Sequence, residues 1–250
     1  MRLTTGCICI SAAIAASALR PLTAQIRPAT AFEKTTTDVN IRTATGWLDQ
    51  ISSELFAQAG ERYLTPRVVG YDNNAVTGCG RIEADNAYAC RSDRTIYYDR
   101  TFLAGLVSAT ASKLHTDGDM AAIFAIAHEW GHELQYLLGL DYTNAVDRSE
   151  SDADCLGGVL LSRAERLGKL QAGDMEEARF SIGFIGDSVL VPGEWGKVIE
   201  QINANAPIGA VPVITNAKGY HGNANERLAA FNRGLTTTMR TCVAGIPRPK

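Results

Sequence analysis

Between Ala125 and Gly139 the chain reads AIAHEWGHELQYLLG. His128 and His132 stand four residues apart, a spacing that on a helix points both imidazoles the same way. Two such rings can ligate one zinc ion at about 2.0–2.1 Å. Glu129, one step round, is poorly placed to join them but can reach a water on that ion, the position of a general base. On a wheel of roughly 100° per residue, Ile123, Ile126, Trp130, Leu134 and Leu137 gather on one face, and the two histidines fall opposite with Ala121 and Ala125. Imidazoles outside the main apolar stripe are poor candidates for ordinary core side chains. The chemistry this pattern implies is hydrolysis of an amide by a metal-activated water.

A catalytic zinc takes three protein ligands and keeps one position open. Downstream lies SESDADCLGG, Ser149 to Gly158, in which Glu150 and Asp154 are again i and i+4. Glu150 is the expected third ligand. Asp154 is the expected acceptor for a ligand histidine's other N–H, which fixes the ring's tautomer. Asp152 is the rival ligand, disfavoured because it lies about 200° round the wheel from Glu150. Gly157 and Gly158 carry no side chain and leave room for a second helix to pack closely. Late in the chain, His221 sits in GYHGNANERL, just before a helix start. It is the candidate donor to the oxyanion of a tetrahedral intermediate, a duty Tyr220 could share. His115 reads as a structural residue at a helix C-terminus, where the dipole favours positive charge, and Arg227 as the partner of a nearby acid.

These residues need helices to hold them. Ala121 to Leu138 is the most apolar helical stretch, stopped by Gly139. Ser149 is the expected N-cap of a helix over 150–167. Trp47, Leu48, Ile51, Leu55 and Ala59 place a helix over about 41–60, and Phe102 to Leu114 reads as another. Asp174 with Glu177, and Asn223 with Glu226, have capping-box spacing for helices over 175–190 and up to Leu235. A short helix over 194–202 and an irregular stretch to Gly219 separate them. Arg67 to Tyr71 and Thr95 to Tyr98 are the expected strands. The class is mainly α with a small β-sheet (α+β), in one domain.

The 250 residues suffice for one hydrophobic core, and the net charge is −3 with no block of Lys or Arg. Nucleic acid or an anionic membrane surface as main partner is therefore excluded. After Met1-Arg2, Leu3 to Leu19 carries no charge and contains Ala16-Ser17-Ala18, with Leu22-Thr23-Ala24 as a second cleavage pattern. Residues 1–24 read as a secretory signal, with a retained N-terminal anchor as the alternative and the only route to a membrane. Residues 25–39, rich in Thr, Pro and Ala, read as a flexible linker, and 40–250 as the domain. Removal of the signal leaves Cys79, Cys90, Cys155 and Cys242. In an oxidising compartment these form two disulfides. Cys79 and Cys90 bracket a short loop and are the natural pair, and Cys155 with Cys242 follows by elimination.

From about Cys79 to Cys242 the ordered blocks CG…YACRSDRTIYYD, AIAHEWGHELQYLLG, RSESDADCLGGV, LQAGDMEEAR…IGDSVL and YHGNANERLAAFNRGL resemble the neutral zinc metallopeptidase family of bacteria. The resemblance implies a zincin-like fold, one zinc ion, Glu150 at the head of E-x-x-A-D as third ligand, and a peptide or protein substrate. It also implies that the strand around Thr95 to Asp99 is an edge that binds an extended peptide. The chain departs from the family pattern at Glu133, where a third histidine is common, at Arg91, a proline in the family, and at Ser151-Asp152. The expected protein is a periplasmic or secreted zinc metallopeptidase. The alternative is a non-catalytic zinc-binding envelope protein that holds a partner in its cleft.

Overall fold

The computed structural model describes residues 29–143, 145–185 and 223–248. The export segment expected over 1–24, the helix expected over 194–202, and His221 with Tyr220 lie outside the described residues. The architecture is mainly helical with a small mixed sheet, as expected.

The first helix, α1 (Ala31–Ala59), starts ten residues earlier than its apolar spacing predicts, so 31–39 are helical rather than linker. Thr30 and Glu33 form a reciprocal capping box that opens the helix. The hydroxyls of Thr35 and Thr43 bond back to carbonyls four residues earlier, which satisfies polar groups that otherwise disfavour this conformation. Thr37, Ile41, Ala44, Leu48 and Ile51 then face the core.

Strand β1 (Arg67–Tyr71) leads to a hairpin, β2 (Ala75–Thr77) and β3 (Gly80–Ile82), then to β4 (Ala87–Cys90) and β5 (Thr95–Asp99). The sheet order is β1-β5-β4, with β1 parallel and β4 antiparallel to β5. This corrects the expected edge: β5, whose TIYYD is buried along most of its length, is the central strand, and β4 is an edge. Four short residues with two alanines give AYAC too weak a strand signal to announce itself. The Cys79–Cys90 disulfide ties the hairpin to β4.

Helix α2 (Arg100–Leu114), N-capped by Asp99, ends at His115 in the left-handed conformation. Helix α3 (Met120–Leu137) carries both histidines and is buried on every side from Met120 to Gln135. Trp130 donates to Ser52 of α1 at 2.9 Å, which fixes the face opposite the histidines. Asp119 provides no cap to α3; Glu177 of α5 (Asp174–Ile185) does so instead, accepting from Gly118 N and Met120 N. The capping box expected at Asp174 and Glu177 is therefore absent, because Glu177 serves a neighbouring helix and Asp174 accepts from Gln171 N.

Helix α4 (Val146–Arg166) begins before Ser149, which lies one turn inside it and hydrogen-bonds Gln135 instead of capping. The backbones of α3 and α4 nearly touch at Gly131, where an added Cβ would meet Ala153 O at 2.7 Å. Gly157 faces Ala127 of α3, as expected. Gly158 instead faces α6 (Ala224–Leu235), against Phe231 and Gly234. The expected Asn223–Glu226 capping box opens α6. The short α7 (Met239–Cys242) is tied to α4 by the Cys155–Cys242 disulfide. No described helix is long and apolar enough to cross a membrane.

Gly131→Ala forces α3 and α4 apart and should cost about 1–3 kcal/mol in thermal unfolding, with weaker zinc uptake; unchanged stability and uptake would show that the contact is not limiting. Asp117, Asp119, Asp174 and Glu177 crowd at the N-terminus of α3. Burial, and then these neighbouring carboxylates, push Asp119 up to about 7 from an ordinary 3.8. The folded state binds the proton more tightly, so stability falls as pH rises from about 4 to about 7. Asp119→Asn should raise the melting temperature at pH 8 and leave it nearly unchanged at pH 4.

Candidate metal centre

Helix α3 presents His128 and His132 with ring centroids 4.8 Å apart, and α4 brings Glu150 against both. Glu150 Oε2 lies 3.2 Å from His128 Nε2 and Oε1 lies 3.4 Å from His132 Nε2. One ligand atom from each of the three residues falls within 4.8 Å of the others. Burial works against ionising Glu150, but hydrogen bonds from the two rings hold its carboxyl well below the usual carboxylate range.

The far side of each ring is also occupied. Asp154 Oδ1 accepts from His128 Nδ1 at 2.8 Å. Arg227, on α6, grips the same carboxylate with Nε on Oδ2 and Nη2 on Oδ1, both at 2.8 Å. Arg227 Nη2 and His128 Nδ1 are only 3.1 Å apart because both donate to one oxygen. His132 Nδ1 donates to Gln135 Oε1 at 3.0 Å, while Gln135 Nε2 donates to Ser149 O at 2.7 Å. With each Nδ1–H committed on its far side, Nε2 is the nitrogen that each ring turns toward Glu150 and, once its proton is lost, the one free to bind a metal. Two imidazoles, each oriented from behind, and one carboxylate fit a zinc ion that keeps an open position. Burial opposes charge on His128, yet Asp154 prevails and raises its pKa to about 10. Metal uptake therefore displaces a proton from this ring and strengthens as pH rises.

The structure brings His128, His132, Glu150 and Asp154, the residues singled out from the sequence, together. Asp152 is turned away: its carboxylate is fully buried against Tyr142 and Arg148. Glu133 is not part of the trio. Burial, and then nearby Asp93, push its carboxyl up to about 7. The sequence reading missed Gln135 and left the acid paired with Arg227 unnamed. Gln135 could have been found from its i+3 spacing to His132. The acid that Arg227 grips, 73 residues away, carries no local signal.

Glu129 lines a cleft of about 400 Å³ together with His132, Glu150 and Tyr136. Strand β4 forms one wall. Asn86 O accepts from Asp99 N, so in the antiparallel register Tyr88 and Cys90 bond β5 while Ala87 and Ala89 turn their N–H and C=O groups away from it. Ala89 N–H donates to Glu129 Oε2 at 2.8 Å, which locks the carboxylate beside the trio.

Gln135→Met should lower zinc affinity by roughly 10- to 100-fold, read by competition with a chromogenic chelator, with little loss of thermal stability. Arg227→Met leaves the buried Asp154 charge with His128 as its one remaining partner among the described residues and should destabilise the fold by about 3–5 kcal/mol. Equal losses of stability in the two variants would contradict the division of labour described here.

The chain matches the family model described as "Putative neutral zinc metallopeptidase" over residues 10–243. It is 31% identical over 195 residues to "Uncharacterized protein YpfJ" of Escherichia coli K12, an alignment covering 72% of this chain and 61% of that protein. It is 27% identical over 196 residues to "Uncharacterized protein Rv2575" of Mycobacterium tuberculosis, covering 70% and 60%. The chain thus spans about three fifths of the length of the curated relatives it matches. No solved structure matches it. With a His-His-Glu trio on two packed helices and a family match along most of its length, the chain belongs to the neutral zinc metallopeptidase family.

Proposed function

We propose that the protein is an exported, zinc-dependent peptidase that hydrolyses peptide bonds with Glu129 as general base. The observation that carries this reading is the placement of Glu129. It faces the cleft beside the trio, and its Oε2 is held by Ala89 N–H. Its Oε1 has no partner among the described residues and is left for a proton. A site built only to bind metal has no use for such a carboxylate.

One zinc ion held by His128, His132 and Glu150 would lower the pKa of water toward about 7 and polarise the scissile carbonyl. Glu129 accepts the proton of the attacking water and delivers it to the leaving amine. Asp154 and Gln135 keep the rings from turning, and Arg227 keeps Asp154 ionised. The outward backbone groups of Ala87 and Ala89 offer a ladder on which an extended peptide can pair, placing its carbonyl near Glu129. His221 is our candidate oxyanion donor. Two disulfides and the apolar N-terminal segment support a periplasmic or secreted location, with 1–24 removed as a signal or kept as an anchor.

Glu129→Gln should keep stoichiometric zinc, measured by metal analysis, while peptidase activity on a broad peptide library falls by roughly 10²- to 10⁴-fold. His128→Ala should lose both zinc and activity. Full activity in Glu129→Gln would rule out the assigned base. Zinc binding with no cleavage by the unaltered protein would favour a non-catalytic scaffold.

A further inference from the structure

Arg91 follows directly on the edge strand and lines the same cleft as Glu129. Its side chain is exposed, and its guanidinium stands 5.6 Å from the centroid of the Tyr136 ring. Among the described residues it makes no ion pair and no hydrogen bond. Two arginines on the helices around the trio behave differently: Arg148 is spent on Asp152, and Arg227 on Asp154. Asp141 lines the same cleft; its carboxylate is hydrogen-bonded by the Thr143 N–H and hydroxyl, and Arg91 acts on it only as a nearby positive charge.

Tyr136 gives the guanidinium a platform. It lies one turn beyond His132 on α3, with its ring stacked on that imidazole at 6.4 Å and 21°. A cation over an aromatic face is held without consuming its N–H donors, so the planar fork stays available for a carboxylate. Position follows from strand geometry. Ala89, whose N–H holds the base, is two residues from Arg91, or about 7 Å along an extended chain.

We propose that Arg91 is a specificity residue of this cleft, selecting peptides that carry a carboxylate about two residues from the scissile bond, on the side facing the C-terminal end of β4. The inference rests on the peptidase reading. A carboxylate in a peptide has two sources, an Asp or Glu side chain and the free C-terminus, and both present the same two oxygens to the fork.

The test uses zinc-loaded full-length protein and a peptide set in which one Glu is moved through the three positions on either side of the cleaved bond. Each peptide is made as free acid and as C-terminal amide. Acidic peptides should be cleaved with a kcat/KM roughly 10- to 100-fold above their Gln counterparts. Arg91→Ala should erase that ratio through KM while sparing neutral peptides, Arg91→Lys should restore part of it, and Asp141→Asn should enlarge it. Loss of the preference on amidation assigns the C-terminal carboxylate; its survival assigns the side chain. An acid-to-neutral ratio near one, or one that Arg91→Ala leaves unchanged, overturns the proposal. The same peptides, fluorescently labelled, are titrated into Glu129→Gln protein. If the unaltered protein cleaves nothing, the peptidase reading fails, and binding alone decides: Arg91-dependent tighter binding of acidic peptides supports the proposal, and equal binding overturns it.

Discussion

Glu150 can reach His128 and His132 only because two helix backbones come into contact. Gly131 sits between the histidines' turn and Ala153, and a methyl group there would meet a carbonyl oxygen. A carboxylate of ordinary length on α4 then spans to both rings on α3. The same closeness sets Asp154, one turn below Glu150, against the back of His128. Helix α6 joins by the same device, since Gly158 and Gly234 let its backbone reach α4, and Arg227 is thereby delivered to Asp154. Packing of small residues therefore comes first, and the electrostatics of the site follow from it.

That electrostatic arrangement is costly taken alone. Asp154 and Arg227 are both buried, and a buried ion pair is weak evidence for stability because desolvation offsets the attraction. Its use here is orientation. Asp154 has one oxygen shared by Arg227 and His128 and the other taken by Arg227, so the ring can adopt only one tautomer. The Cys155–Cys242 bridge, starting from the residue next to Asp154, secures α4 to the C-terminal turn on the same side of the core. A rigid frame behind the ligands is what a site with an open metal position needs, since the open side supplies no support.

The site was legible in the sequence to the extent that it is periodic. His128 and His132, and Glu150 and Asp154, each repeat at one helical turn, and a wheel is enough to pair them. Both disulfides were legible because the four cysteines beyond the expected signal are an even number with one short loop among them. What the sequence hid depends on distant register. Nothing in AYAC says that it lies beside Glu129, forty residues away, because an edge strand is defined by what fails to pair with it. The start of α1 was hidden because threonines that disfavour helices in isolation satisfy their hydroxyls on the preceding turn. Ser149 misled for a related reason: it has the chemistry of a cap, but Gln135 supplies a better partner.

The edge strand links fold and chemistry more tightly than a substrate ladder alone requires. One backbone N–H, that of Ala89, is withdrawn from peptide pairing and given to Glu129. The base and the rail along which a peptide would lie are thus fixed to each other, and a shift in β4 register would move both. The Cys79–Cys90 bridge anchors β4 at the end next to Arg91, and β5 pairs it through Tyr88 and Cys90 on the side away from the cleft. The order of dependence runs from a disulfide, to a strand register, to the position of one carboxylate. In the proposed peptidase, substrate choice and catalysis would therefore both depend on the same four-residue strand.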